Sequence, residues 1–403
     1  MDQRVIETSP DSLERTVNIA LIIFCMGFQT LGTAGISLFM PVIRRDLGFS
    51  FTQGGALSAT TYAGYALMQI PAGYLADRYG VKRIFFTGVL GSTLLCFSFG
   101  LASDYRHAIL IQAAAGVFNA LIFASGLSLL VIWFKPERRA TAMAISIIGI
   151  FLGNLIMNST GPFLAKWFSW RLPFMSFAAL GVLAALSYLF CGKVPPRKAT
   201  GQPVRPMDVL RLFSHRYMWL CGGIQYVRLA VFQGITFWLP SLLIDEKGIS
   251  LQATGLVIAF RGLMFPPTNI IGGYLSDRLK KPAALIGFSL SMLSITTILI
   301  VRTDRLLLLV FFILLNALFL QVYFGPLFAL PVERYGAHMI GSLSGFGNFF
   351  ANLGGITFSF FVGFLKDKTG LFESGFYAIS LACILGIVFT VFLEKMRREP
   401  SAS

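Results

Sequence analysis

Acidic residues are scarce in this chain, 18 against 33 Lys and Arg in 403 residues. None of them falls in the middle of an apolar run, which removes buried carboxylates as counter-charges or proton carriers there. Cysteine is scarce as well. Cys25, Cys96, Cys191, Cys221 and Cys383 sit in or at the ends of apolar runs without CxxC spacing, which argues against a disulfide framework or a thiolate metal site. With 3 histidines and no nucleophile–base or metal-ligand constellation, neither an enzyme nor a cofactor is expected. Charged residues make up only 13% of the chain, against about 25% in soluble globular proteins, which excludes a soluble globule.

What the chain has is apolar length. Hydrophobic residues reach 56% and the mean hydropathy is +0.74. Twelve apolar runs lie between positions 18 and 393, each of about twenty residues and so long enough to cross a hydrocarbon core of about 30 Å as a helix. The expected fold is therefore an all-α membrane protein with twelve transmembrane helices. The net charge of +15 could suggest nucleic acid, but its placement does not. Lys and Arg in the segments on the side of the N-terminus outnumber those on the opposite side by about two to one, which reads as the positive-inside rule and puts both termini in the cytoplasm. The first seventeen residues are polar and mixed in charge, so no cleavable signal is expected.

A hexapeptide occurs twice, Gly73-Tyr74-Leu75-Ala76-Asp77-Arg78 and Gly273-Tyr274-Leu275-Ser276-Asp277-Arg278. The same offset relates Gly48 to Gly248 and Gly55 to Gly255, and a similar one relates Pro41 to Pro240. Repeats at this period predict two similar six-helix bundles, residues 1–191 and 218–403, in the same orientation. The segment 192–217, with Lys193, Pro195, Pro196, Arg197 and Lys198, is read as the cytoplasmic linker between them. Two such halves in a membrane suit the passage of a solute between them.

The stretch from Gly73 through Tyr79, Gly80, Val81, Lys82 and Arg83 resembles the signature loop between helices two and three of the major facilitator superfamily, and the likeness extends along the whole chain. The resemblance implies two pseudo-symmetric bundles rocking about a central cavity lined by the first, fourth, seventh and tenth runs. It also implies a conformational latch at one membrane face, formed by Asp77, Arg78, Asp277 and Arg278 with Arg138 or Arg139. A carboxylate at a helix end can hold a neighbouring helix N-terminus or an arginine.

Two arginines interrupt the apolar runs, Arg228 in the seventh and Arg261 in the eighth. Each costs about 2.5–3.5 kcal/mol at a helix centre. With no acid to neutralise them, an anionic ligand in a shared cavity is the expected partner, since a guanidinium fork matches carboxylate or phosphate. Gln225 and Phe232 share a helix face with Arg228, as Thr254 and Thr268 do with Arg261. Pro266 and Pro267 break the helical ladder just after Arg261. Gln29, Asn119, Tyr323 and Asn348 complete the expected substrate-binding set, while Asn316, Asn352 and His338 are read as helix packing or helix-end residues.

The segments Gly64–Gly73 and Trp133–Arg138, with Trp170-Arg171, are similar to the organic-anion branch of that superfamily, which includes the anion:cation symporters of sugar acids. Those symporters carry an Asp–Arg pair in the first helix and an Arg and Glu in the fourth; here Gly32, Thr33, Gln112 and Asn119 stand there. A cation in the eighth run also resembles oxalate–formate exchangers and monocarboxylate transporters. The reading is a monomeric transporter of a small organic anion, a mono- or dicarboxylate, by alternating access in a bacterial inner membrane. Its expected partners are a co-transported or exchanged ion and the bilayer, but no nucleic acid. A drug or amphiphile exporter of the same fold, and a transporter-like solute sensor, are the alternatives.

Overall fold

The computed structural model describes residues 12–134, 139–194, 212–336 and 339–398. Among them the chain is helical without strands, and apolar sequence in lipid explains why: only a helix satisfies every backbone N–H and C=O within its own segment. The first six expected runs are single helices: α1 (Ser12–Leu47), α2 (Phe51–Tyr79), α3 (Val81–Gly100), α4 (Tyr105–Ile132), α5 (Arg139–Trp167) and α6 (Arg171–Cys191). After the linker come α7 (Arg216–Ser241), α8 (Leu251–Leu263), α9 (Phe265–Leu279), α10 (Pro282–Arg302), α11 (Leu306–Val322), α12 (Phe324–Tyr335), α13 (Ile340–Thr369) and α14 (Phe372–Arg398). Thus the eighth and tenth runs are each two helices, broken at Met264 and Tyr323. Pro266 and Pro267 follow the first break, and Gly325 and Pro326 follow the second.

Ten of the spans are long and apolar enough to cross a membrane by length and composition, α11 and α12 counting as one. The two remaining runs, α2 and the α8–α9 pair, carry both copies of the hexapeptide. Their Gly, Thr, Ser and Gln content lowers their hydropathy, although α2 at 29 residues is about 43 Å long.

The repeat is visible in the backbone. Gly48 and Gly248 both take the left-handed conformation, with φ of 66° and 65°, which an L side chain resists. Ser50 and Ser250 then cap the next helix, accepting from the N–H of Gln53 and Ala253. One turn later, Gly55 lies against the carbonyl of Ser359 on α13, and Gly255 against the carbonyl of Asn158 on α5. A Cβ at either glycine would collide with that oxygen. These glycines let the backbones of α2 and α13, and of α8 and α5, come into direct contact, as small residues do in membrane helix packing.

Polar contacts between residues before and after the linker gather where α1 ends and α2 begins. Arg45 pairs with Asp245 at 2.6 Å. Asp367 accepts from the backbone N–H of Phe51 (3.0 Å) and Thr52 (2.6 Å) and from the Thr52 hydroxyl (2.6 Å). Deeper in, Ser37 donates to the carbonyls of Thr236 and Phe237, Ser58 meets Ser359, and Tyr62 donates to Gln233. Phe51 packs against Trp238 and Phe372. This end of the molecule is sealed by both apolar and charged contacts.

Candidate functional site

Below that seal lies a cavity of two adjoining compartments, which share Thr30, Thr33, Tyr62 and Ile150 as a common wall. The first, about 390 Å³, is bounded by α1, α5, α7 and the α8–α9 break, and it contains Arg261. The second, about 290 Å³, is bounded by α1, α2, α4, α7 and α13, and it contains Arg228. No Asp or Glu lines either compartment among the described residues. The site is therefore cationic and surrounded by low-dielectric walls, where a charge is felt far more than in water.

Arg261 sits in the last turn of α8, and the break at Met264 directs the chain away just beyond it. Its side chain is 1% exposed. Nη1 and Nη2 both donate to one oxygen, Thr236 Oγ1, at 3.2 Å, while Nε is buried without a partner. A guanidinium has five N–H donors, and a single neutral hydroxyl leaves most of them unmatched. The ring of Phe265 lies 5.2 Å from its central carbon, a favourable but undemanding contact.

Arg228 is better provided for. Its Nε donates to Gln225 Oε1 at 2.7 Å, as expected for residues one helical turn apart. Phe324 and Phe328 on α12 face its guanidinium at 5.1 and 5.9 Å. Arg228 lines the same compartment as Gln29, Asn119 and Asn348. Gln29 Oε1 is buried there without a partner. Asn119 Oδ1, in contrast, already accepts from Ser92 at 2.9 Å.

The structure thus brings Arg228, Gln29, Asn119 and Asn348 together and sets Arg261 apart. Arg228 lines the second compartment and Arg261 the first, with Thr30, Thr33, Tyr62 and Ile150 common to both. Arg261 is anchored at Thr236 and Arg228 at Gln225, positions about 16 Å apart along α7. Gln225 holds Arg228 from behind and lines neither compartment. Tyr323, at the break between α11 and α12, is fully buried with its hydroxyl unpartnered and lines neither. Thr254 and Thr268 do not join Arg261 on a cavity face either. Thr268 donates to the carbonyls of Met264 and Phe265 at the break, and Thr254 is buried elsewhere.

Several lining residues had no signal that could single them out. Thr236 is one, although its spacing of eight from Arg228 continues the Arg228–Phe232 stripe. Tyr62, Gln233 and Asn154 are polar residues of kinds that usually serve as packing between helices. The two neutral residues of α4 that replace charges in the similar symporters do serve that way: Gln112 accepts from Thr61 on α2, and Asn119 from Ser92 on α3. Asn316 likewise bonds Thr296 and Thr297 on α10, and Asn352 the carbonyl of Asn348.

The hexapeptide residues lie at the end away from the seal. Asp77, Arg78, Asp277 and Arg278 are all exposed. Each arginine reaches the tyrosine one turn before it, Tyr74 and Tyr274. Neither aspartate makes a hydrogen bond or ion pair among the described residues. Arg138 and His338 lie outside the described residues, and of Arg139 only the backbone is described.

The chain is 24% identical over 409 residues to a hexuronate transporter of Bacillus subtilis (strain 168), with 96% of each chain covered. It is 22% identical to a D-galactonate transporter of Escherichia coli O6:H1, covering 95% of this chain and 96% of that one. Its fold matches the crystal structure of a bacterial homolog of the human lysosomal transporter Spinster in an inward-facing, occupied conformation. The TM-score is 0.82 at 18% identity, over 98% of this chain and 100% of that one. The sequence model described as Major Facilitator Superfamily matches residues 22–359, a span running from the first helix through both hexapeptides, and the chain belongs to that family.

Proposed function

We propose that this protein is a secondary transporter that carries a small organic anion across the membrane by alternating access, binding it at Arg261. The observation that carries this is the state of that side chain: a buried guanidinium with, among the described residues, one hydroxyl for a partner and no acid in its compartment. A buried unpaired charge is retained at a cost of several kcal/mol unless something compensates it. An anion entering the compartment does so. The relatives named for hexuronate and galactonate carriage support the anionic class, and Arg228 offers a second cation on the same route. The halves 1–191 and 218–403 would move as bodies about the cavity. With the N-terminus in the cytoplasm, the sealed end is external and the cavity is reached from inside. Asp77 and Asp277 would then latch the opposite, cytoplasmic end in the other conformer. Since no carboxylate lines the cavity among the described residues, exchange of one anion for another fits these walls better than a protein-borne proton relay.

The test is thermal unfolding of the purified full chain in detergent with carboxylates, phosphate esters, neutral sugars and lipophilic cations, because a ligand of the native state raises its stability. Wild type is expected to be stabilised by one class of anion, and Arg261→Gln is expected to lose that stabilisation. Stabilisation by lipophilic cations alone, equal in both proteins, would sink the anion reading.

A further inference from the structure

The two compartments differ in chemistry, and the difference bears on what body the anion has. In the Arg261 compartment most polar side chains already hold a partner inside the protein. Thr30 donates to the Ile150 carbonyl at 2.7 Å, Thr33 to Thr30, and Ser37 to Thr236 and Phe237. Tyr62 donates to Gln233 Oε1, and the Gln233 amide in turn donates to Ser58 at 3.0 Å. Asn154 and Asn158 each turn an amide back onto the α5 backbone. The remaining wall is aromatic and aliphatic. Phe265 packs at a tilt against both Phe151 and Phe232, with centroids 5.5 and 5.7 Å away, and Phe237, Leu155 and Ile258 continue it. The conspicuous open donors are on Arg261.

One buried cation with free N–H groups, set in a largely aromatic and aliphatic wall whose polar side chains mostly hold partners within the protein, recognises one negative charge and an apolar body. We infer that the substrate of this compartment is a monoanion with a compact apolar, preferably flat, body, such as an aromatic monocarboxylate, and not a polyhydroxy acid. This inference rests on reading Arg261 as the anion site. A sugar acid brings four or five hydroxyls that must each find a partner when water is stripped away, and an unmatched buried hydroxyl is costly. Here such hydroxyls would face phenylalanine rings. A second carboxylate would have no second cation within the compartment, since Arg228 sits beyond the shared wall. An apolar ring instead gains by leaving water and by edge or face contact with Phe232 and Phe265. Size agrees, the compartment being at the lower end of the usual 300–1,000 Å³ range of small-ligand pockets.

The experiment measures affinities of the full chain in detergent by calorimetry for benzoate, phenylacetate, glucuronate, galactonate and tartrate. The wild type, Arg261→Gln, Arg261→Lys and Phe232→Asn would be compared, with unliganded melting as the check that each is folded. Benzoate or phenylacetate is expected to bind at least about tenfold tighter than any hydroxy acid. Arg261→Gln should weaken it by about ten- to a hundredfold, the loss of a charge-assisted bond, and Arg261→Lys by less. Phe232→Asn should weaken the aromatic acids and leave the hydroxy acids unchanged or improved. If glucuronate or tartrate binds tighter and loses affinity in Arg261→Gln, the anion site stands and the apolar-body inference is overturned. If none of the five acids binds wild type, both fall. Aromatic acids that bind all four proteins equally would overturn the inference as well, because binding would then lie outside this compartment.

Discussion

Two arginines with the same apparent standing in the sequence have different fates, and the reason is which oxygen each one reaches. Arg228 has an amide oxygen, that of Gln225 one turn away, and the rings of Phe324 and Phe328 on α12 beside its guanidinium. Arg261 has one hydroxyl. We therefore expect Arg261→Gln to leave the unliganded melting temperature unchanged or raised, since a buried, poorly paired charge is removed, while ligand stabilisation disappears. Arg228→Gln should lower the melting temperature slightly and retain part of the ligand response. Differential scanning fluorimetry of both variants with and without the anion checks this, and a larger loss of ligand response in Arg228→Gln would reverse the assignment. Glycine offers a second test at this scale. Gly55 and Gly255 touch carbonyls of α13 and α5, so Gly55→Val and Gly255→Val should each cost about 1–3 kcal/mol through forced separation. Chemical unfolding would read this directly, and a neutral result would mean that the helices do not need to meet so closely.

Among the elements, the break between α8 and α9 is the one that places chemistry. Two consecutive prolines cannot donate to the carbonyls one turn back, and each clashes with a continuous helix. The break puts Arg261 at a helix end, with Thr268 binding the carbonyls of Met264 and Phe265. Replacing both Pro266 and Pro267 by alanine should heal the helix and turn the guanidinium relative to Thr236. The expected outcome is unchanged helicity by circular dichroism with at least about tenfold weaker anion binding, because a misplacement of about 1 Å is costly at a positioned site. Unchanged affinity would show that the break serves only folding. The position of the break was legible from Pro266 and Pro267 in the sequence. The equivalent break at Tyr323 was not, because Gly325 and Pro326 stand singly in a run that otherwise reads as one strongly apolar helix.

At the scale of the molecule, the sealed end has three kinds of contact, and magnitudes rank them. The Arg45–Asp245 pair leaves the arginine side chain 63% exposed, and such pairs contribute little, about 0–1 kcal/mol. Asp367 accepts from the first two N–H groups of α2 and from the Thr52 hydroxyl, a cap worth about 0.5–2 kcal/mol. Phe51, seated against Trp238 and Phe372 with Arg44 on its face at 3.9 Å, buries more apolar area than either. Opening of this end should therefore increase in the order Asp245→Asn, Asp367→Ala, Phe51→Ala. Labelling of a cysteine placed at Gln53 in a background lacking the five native cysteines would follow it, and equal labelling in all three variants would mean that the seal lies elsewhere. Asp77→Asn should not lower stability in this conformer, in which the carboxylate has no described partner. If the latch acts in the other conformer, the variant should accumulate the present one.

Residue chemistry alone determined that this chain crosses a membrane many times, because lipid leaves a backbone no choice but to bond within itself. It also determined the repeat, since one offset relates the two hexapeptides and pairs Gly48 with Gly248 and Gly55 with Gly255. It singled out Arg228 and Arg261 as well, since a charge among apolar residues needs no geometry to be conspicuous. The tertiary structure alone decided that these two arginines serve different compartments, that Gln112 and Asn119 are spent between helices, and that one end is sealed by Asp367 capping a helix more than three hundred residues away. Those facts depend on which polar atoms are already partnered. Partners come from helices far apart in sequence, and so no local pattern records them.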